Sequence, residues 1–299
     1  MAKGLSKRPH SIARCVALMG TAVLMLTTLA PVAAAQEAGV ASAWTQAQMA
    51  QVRLVAGKQA GAAGGSEIVA GVEIALEDGW KTYWRNPGDA GGVPPELGWS
   101  NSENVAETKL LYPAPKRFKD KTGETIGYKG SVVLPVIVRA DDPSRAVNLQ
   151  GVLNFGICRE ICVPVTAELS LTVPADLKPG LPPVLRTALE QAPRGGDAIK
   201  AGDPKLVSHE VVLDGDKPRI VLNVDLGGEG ETGTGDVFAE ASDGVYLPMP
   251  QRADGRAEGP ARFEIDLTAA NDPQELKGKT IRVTMIGPKG QSEASFVVD

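Results

Sequence analysis

Residues 153–165 read Leu153-Asn154-Phe155-Gly156-Ile157-Cys158-Arg159-Glu160-Ile161-Cys162-Val163-Pro164-Val165. Leu153, Phe155 and Ile157 fall on one face of an extended chain. Val163, Val165, Ala167, Leu169 and Leu171 fall on one face of the return. A period of two is the signature of half-buried strands. Residues 146–157 and 163–172 are therefore predicted as the arms of a hairpin whose loop is Arg159-Glu160-Ile161. This places Cys158 and Cys162 opposite one another. Cross-strand Cβ atoms lie about 4.5–5.5 Å apart, slightly wide for a relaxed disulfide at about 3.5–4.5 Å. Closing the bond over so short a loop is expected to cost strain, and strained bonds are more readily reduced. A short loop also gives little entropic stabilisation. Arg159 would favour a thiolate at Cys158, and Glu160 would oppose it. The flanking Val163-Pro164 suggests that Cys162 is the less exposed sulfur, which would make Cys158 the attacking one. From the residues alone, three uses of the pair stay open. They are thiol–disulfide exchange, a structural disulfide in a non-enzymatic binding or scaffold protein, and two thiolates holding Cu(I), a soft ion suited to sulfur.

The pattern repeats in both directions from the hairpin. Upstream, residues 67–76 alternate, Asp78-Gly79 marks a turn, and Lys81-Thr82-Tyr83-Trp84 resumes a strand. Residues 86–95 carry three prolines and three glycines and read as a long loop. Strands are predicted at 105–112 and 131–140, the latter interrupted by Pro135, with a polar loop at 113–127 between them. Downstream, Pro183 to Ala192 is the one clear helix. Strands are then expected at 206–213, 219–226, 236–241, 245–247, 261–267, 280–286 and 292–298. Short strands with Gly/Pro turns indicate an all-β fold, a β-sandwich followed by a second, smaller one. The organisation read from this is a leader over 1–35, a first domain over 36–178, a linker with a short helix over 179–204, and a second domain over 205–299.

Residues 1–35 have the form of a secretory signal. Lys3, Lys7, Arg8 and Arg14 form a basic start, an apolar run follows from Val16 to about Ala30, and Pro31-Val32-Ala33-Ala34-Ala35 supplies small residues for cleavage before Gln36. Export to the periplasm is expected, with no membrane span in the mature chain. The chain carries 31 Lys and Arg against 36 Asp and Glu, so removing the four basic leader residues leaves a net charge of −9. Such acidity argues against nucleic acid as a partner. Of the two histidines, only His209 lies outside the leader, which excludes a His-based metal site or a Ser-His-Asp triad. Gly227-Gly228-Glu229-Gly230 reads as a flexible acidic turn, and no cofactor is expected. Trp80, Trp84 and Trp99 read as core aromatics, and Asp89 and Glu96 as solvated loop charges.

Three stretches carry a family resemblance. Residues 78–89 (Asp-Gly-Trp-Lys-Thr-Tyr-Trp-Arg-Asn-Pro-Gly-Asp), residues 127–136 (Gly-Tyr-Lys-Gly-Ser-Val-Val-Leu-Pro-Val) and the Cys158–Pro164 segment together resemble the N-terminal periplasmic domain of DsbD-type thiol:disulfide interchange proteins. The branch that includes the copper-tolerance protein ScsB is the nearer in pattern. The resemblance covers residues 50–175, and the second domain is similar to the extra module of the longer members. It implies an immunoglobulin-like redox domain in which Cys158 and Cys162 are the exchanging pair. Electrons would come from a thioredoxin-like domain or a membrane thiol reductase and go to periplasmic disulfide-bearing proteins. It also implies that Trp80 and Tyr83 lie near the pair, and that residues 117–127 form a cap with Phe118 as the shielding ring. Well-known members space their cysteines wider. Full-length members add membrane and thioredoxin domains that this sequence does not carry, so a separate reductant is expected.

Overall fold

Alternating side chains dictate strands along most of the chain. The computed structural model describes residues 39–60, 66–120, 123–228, 235–253, 259–270 and 272–299. The leader expected at 1–35 lies outside them. In chain order the first strands are β1 (Val40–Ala41), β2 (Thr45–Ala47), β3 (Ala50–Ala60), β4 (Ser66–Leu76), β5 (Lys81–Tyr83), β6 (Glu96–Gly98) and β7 (Glu107–Leu110). There follow β8 (Lys116–Asp120), β9 (Gly123–Lys129), β10 (Ser131–Arg139), β11 (Val147–Cys158) and β12 (Cys162–Val173). Helix α1 (Pro183–Gln191) leads to β13 (Lys205–Val212), β14 (Arg219–Asp225), β15 (Asp236–Ala241), β16 (Gln251–Arg252), β17 (Ala261–Asp266), β18 (Thr280–Ile286) and β19 (Gln291–Val297).

The fold is all-β, as the alternation predicts. One sheet runs β1-β3-β4-β10-β7 with β2 on β3, and a second runs β12-β11-β5-β9-β8 with β6 on β11. Their facing sides close a core that includes Leu54, Ile74 and Leu134 from one sheet and Trp84, Ile126 and Phe155 from the other. Burying each such side chain contributes about 1.5–3 kcal/mol. The predicted hairpin forms in unbroken register from Val147↔Val173 to Cys158↔Cys162. Further along, β13-β14-β17-β16 faces β15-β18-β19 over a core holding Ile220, Leu222, Phe263 and Ile265 opposite Val237, Ile281 and Val283.

Pro135 does not interrupt its strand. It pairs with Gly71 of β4, and its carbonyl accepts from Leu111 N. An extended residue points its N–H and C=O to the same side, so the missing donor faces β7, whose ladder stops at Val136↔Leu110. Residues 113–127, read as a loop, contain the β8–β9 hairpin. Residues 245–247 are not a strand; they follow a 3-10 turn and bury Leu247.

Helix α1 starts at Pro183, whose fixed φ suits the first helical position. Leu185 and Ala188 pack on Val55, Val69 and Val133, on the outer side of the first sheet. Gly71 makes room for this, since a Cβ there would lie 2.4 Å from Leu185 Cδ2. The two sandwiches also share side chains. Phe238 and Met249 bury with the first core, and the Trp84 and Phe238 ring centroids are 5.6 Å apart.

Candidate functional site

Cys158 and Cys162 are joined by a disulfide at the tip of the β11–β12 hairpin, with their Cα atoms 4.1 Å apart. Their surroundings differ sharply. Cys158 is 3% exposed, whereas Cys162 lies open to solvent. Sheet position explains this. Strand β11 is flanked on one side by β12 and on the other by β5, where Lys81 sits in register with Cys158. Strand β12 is the edge of its sheet, with β11 as its strand neighbour. The expectation that Cys162 is the less exposed sulfur is therefore reversed: the Val163-Pro164 flank matters less than the edge position.

Tyr83 reaches the exposed sulfur. Its hydroxyl donates to Cys162 Sγ at 3.1 Å, and the side chain is otherwise buried. Residues directly opposite in a sheet share a face, so Tyr83, Gly156, Cys158 and Cys162 all lie on the outward face of the second sheet. The ring lies flat because two glycines allow it. A Cβ on Gly156 would come 2.8 Å from Tyr83 Cε2, and one on Gly92 would come 2.3 Å from Cε1. Gly92 belongs to the 86–95 loop, which folds over the ring. Gly156 N donates to Val93 O at 2.8 Å, and Thr82 Oγ1 donates to Gly156 O at 2.7 Å. At the far end of the loop, the Tyr112 hydroxyl donates to Pro95 O at 2.8 Å, and burial pushes that phenol up to about 12.

Trp80 stands on the other side of the tip. With Met49, Ile157, Arg159, Ile161 and Val163 it lines an open hollow of about 330 Å³. Ile161, between the two cysteines, is 68% exposed. Arg159 lies along the turn at Gly79, where a Cβ would be 3.4 Å from its Nε. Lys81 is buried beside Cys158 and donates from Nζ to Thr125 Oγ1 at 3.0 Å.

Phe118 is not brought to the cysteines. It sits on β8, separated from β11 by β9 and β5, three strand spacings or about 14 Å. Its ring lies 4.5 Å beneath Lys129 Nζ and lines a groove beside α1. The segment 117–127 expected as a cap is otherwise the β8–β9 hairpin, and residues 121 and 122 at its tip lie outside the described residues. Among the described residues, the cover over Tyr83 comes from residues 86–95. Sequence reasoning missed Gly92, Val93 and Gly156 in this role; the glycine-rich loop immediately after Tyr83 was the available signal.

The other residues singled out have ordinary surroundings. Trp84 is fully buried, and Trp99 packs over Gly151. His209 stacks on Phe296 with centroids 3.8 Å apart. Glu96 lies on β6 opposite Asn154. Asp89 is an exposed loop charge, as expected, and it also accepts from Met249 N at 3.2 Å and from the Tyr246 hydroxyl at 3.1 Å. Among the described residues, no cluster of three or more His, Cys, Asp or Glu could hold a metal, and no helix is long and apolar enough to cross a membrane.

Residues 51–174 match the family model of the thiol:disulfide interchange protein DsbD, N-terminal. Among solved structures, the chain is similar to the N-terminal periplasmic domain of ScsB from Proteus mirabilis. The TM-score is 0.62 at 22% sequence identity, covering 88% of this chain and 98% of that one. At that identity the likeness concerns the fold. No curated protein sequence gives a significant match.

Proposed function

We propose that Cys158 and Cys162 form an exchangeable pair that carries two electrons from a thioredoxin-like or membrane thiol reductase to disulfide-bearing proteins of the periplasm. The observation that carries this reading is the asymmetry of the pair. Cys162 is open to solvent with a hydroxyl on its sulfur, and Cys158 is buried directly behind it. The match of residues 51–174 to a thiol:disulfide interchange family supports the reaction class. The similar ScsB domain is described as periplasmic, in keeping with the leader expected at 1–35.

In the first half-reaction a partner thiolate attacks Cys162 Sγ. A partner–Cys162 bond forms as the Cys158–Cys162 bond breaks, and Cys158 leaves as a thiolate and takes a proton. A second thiolate of the partner then attacks the partner's own bonded sulfur. The partner becomes oxidised, and Cys162 leaves as a thiolate beside the Tyr83 hydroxyl. A hydrogen bond to the charged form lowers the pKa of a thiol, so Tyr83 should favour the Cys162 thiolate over the free-cysteine value of about 8.5. In the second half-reaction this thiolate attacks a target disulfide. Cys158 resolves the mixed disulfide, which restores the internal bond and releases the target as a dithiol.

The test is exchange with a reduced thioredoxin. The wild-type disulfide should be reduced, and both Cys158→Ser and Cys162→Ser should lose turnover by at least about a hundredfold. Challenged instead with oxidised glutathione, Cys158→Ser should accumulate a glutathione mixed disulfide on Cys162 as a glutathione thiolate leaves, while Cys162→Ser should accumulate almost none. Turnover retained in both variants would contradict the reading.

A further inference from the structure

The loop that presses on Tyr83 is held from both sandwiches. Its root, Arg85, donates from Nε to Glu240 at 2.8 Å, and from Nη2 to Thr284 at 3.0 Å and to Glu293. Those three partners stand on β15, β18 and β19. At its bend, Asp89 accepts from the backbone N–H of Met249 and from the Tyr246 hydroxyl. The first sandwich holds the loop by main-chain bonds, from Ile126 N to Pro87 O at 2.8 Å and from Ala90 N to Glu124 O at 3.2 Å. Beyond Ala90, residues 90–93 are exposed and include two glycines in the left-handed region, Gly91 and Gly92. Among the described residues, the backbone hydrogen bond that ties this stretch to the hairpin is the Val93 carbonyl accepting from Gly156 N. A glycine-rich segment has little stiffness of its own. The placement of Gly92 on the Tyr83 ring is therefore set by its flanks: Val93 on one side, and on the other Ala90, bonded to Glu124, with Asp89 held by the second sandwich.

We infer that the C-terminal sandwich sets the reactivity of Cys162 by anchoring the 86–95 loop, with Asp89 as the positioning residue. The chain of contact runs from Met249 and Tyr246 to Asp89, along the loop to Gly92, onto the Tyr83 ring, and through its hydroxyl to Cys162. Releasing Asp89 frees the loop, lets the ring leave Gly156, and removes the hydrogen bond from the sulfur. This gives the C-terminal sandwich a task in a reaction whose cysteines lie entirely in the first. It rests on the proposed role of Cys162 as the reactive sulfur.

Asp89→Ala and Asp89→Asn separate the tether from the charge, because asparagine keeps a side-chain oxygen that can accept both bonds. Two readouts are needed on the full-length protein. One is hydrogen exchange at the Gly156 amide in the oxidised state, which reports whether Val93 still covers it. The other is the pH midpoint for alkylation of Cys162 by iodoacetamide in the reduced state, read from its own peptide by mass spectrometry. Asp89→Ala should speed Gly156 exchange about fivefold, the factor expected for losing roughly one ordinary hydrogen bond. It should also move the alkylation midpoint up toward about 8.5, the value of an unassisted thiol. Asp89→Asn should stay within about twofold of wild type in exchange rate, since its acceptor remains. If Asp89→Ala leaves both readouts unchanged, or if Asp89→Asn behaves like Asp89→Ala, the inference is overturned. Thioredoxin reduction measured in parallel keeps it separate from the interchange reading. A wild-type protein that thioredoxin does not reduce, with Asp89→Ala still shifting both readouts, overturns interchange and leaves the anchoring intact.

Discussion

Each sandwich contains a hairpin that includes an edge strand, and the two tips are built from opposite materials. The β13–β14 tip runs through Asp214-Gly215-Asp216-Lys217, with Gly215 at φ 88° and charged side chains in solvent. That is the ordinary chemistry of a turn. The β11–β12 tip has no glycine, is cross-linked by sulfur, and leaves Ile161 68% exposed between the two cysteines. Nothing in the fold calls for an apolar side chain there. With Met49 and Trp80 beside it, the tip presents apolar side chains around an open hollow. The second sandwich instead directs three carboxylates inward to the first: Asp236 to Arg117, and Glu240 and Glu293 to Arg85. On the proposed reading, one sandwich carries the exchanging cysteines and the other anchors the loop beside them.

The strongest challenge to this division is Phe238→Ala. Phe238 belongs to the second sandwich in sequence but packs against Trp84 in the first core. Its truncation should cost about 3–5 kcal/mol in urea unfolding. If the division of labour rests on a shared core, both sandwiches should lose stability together. A shift confined to the C-terminal strands would show them to be independent.

A smaller effect is expected from Arg85→Met. It leaves Glu240 and Glu293, both largely shielded, without their shared cation. Because these groups keep some contact with solvent, the loss should be about 2 kcal/mol, below the 3–5 of a fully buried pair. Reduction of the disulfide by dithiothreitol should become faster as the loop root loosens. An unchanged rate would detach Arg85 from the site.

The mildest test uses pH. Glu124 lies where β9, the covering loop and the second sandwich meet. Burial pushes its carboxyl up, but the Arg117 guanidinium outweighs this and holds it below the usual range. A carboxylate depressed in the folded state stabilises the protein fully above its unfolded value, near 4.3. That contribution is lost as pH falls through the lower folded value. Asp203, hydrogen-bonded by Arg194, is depressed in the same sense but lies away from the cysteines. Glu124→Gln and Asp203→Asn should both flatten the fall in melting temperature between about pH 5 and 2. Only Glu124→Gln should also change the rate of disulfide reduction.

Local alternation made the hairpin, its register and the facing of Cys158 and Cys162 legible from sequence, because side-chain period and loop length fix them without reference to the rest of the fold. Tyr83 and Trp80 were legible through the motif that carries them. The burial order of the two cysteines was not, since it depends on β5 lying against β11 and on β12 being left as an edge. Nor was Phe118, whose hairpin is written in Lys116, Arg117, Lys119 and Asp120 and so lacks an apolar alternation. The cradle of Gly92 and Gly156 joins residues 64 positions apart, and glycines announce flexibility before they announce a ring that needs room. The segment 179–204 read as a linker because of its prolines, yet α1 docks on the first sheet and Arg194 pairs with the buried Asp203.

The most direct test of the account is the reduction potential of the Cys158–Cys162 bond in the purified protein. It would be equilibrated with glutathione, and the thiols counted by alkylation and assigned by peptide. The account predicts a potential above about −300 mV, with the glutathione mixed disulfide found on Cys162. A potential well below that value would mark a structural bond, and mixed disulfide found chiefly on Cys158 would reverse the roles of the two sulfurs; either result contradicts it.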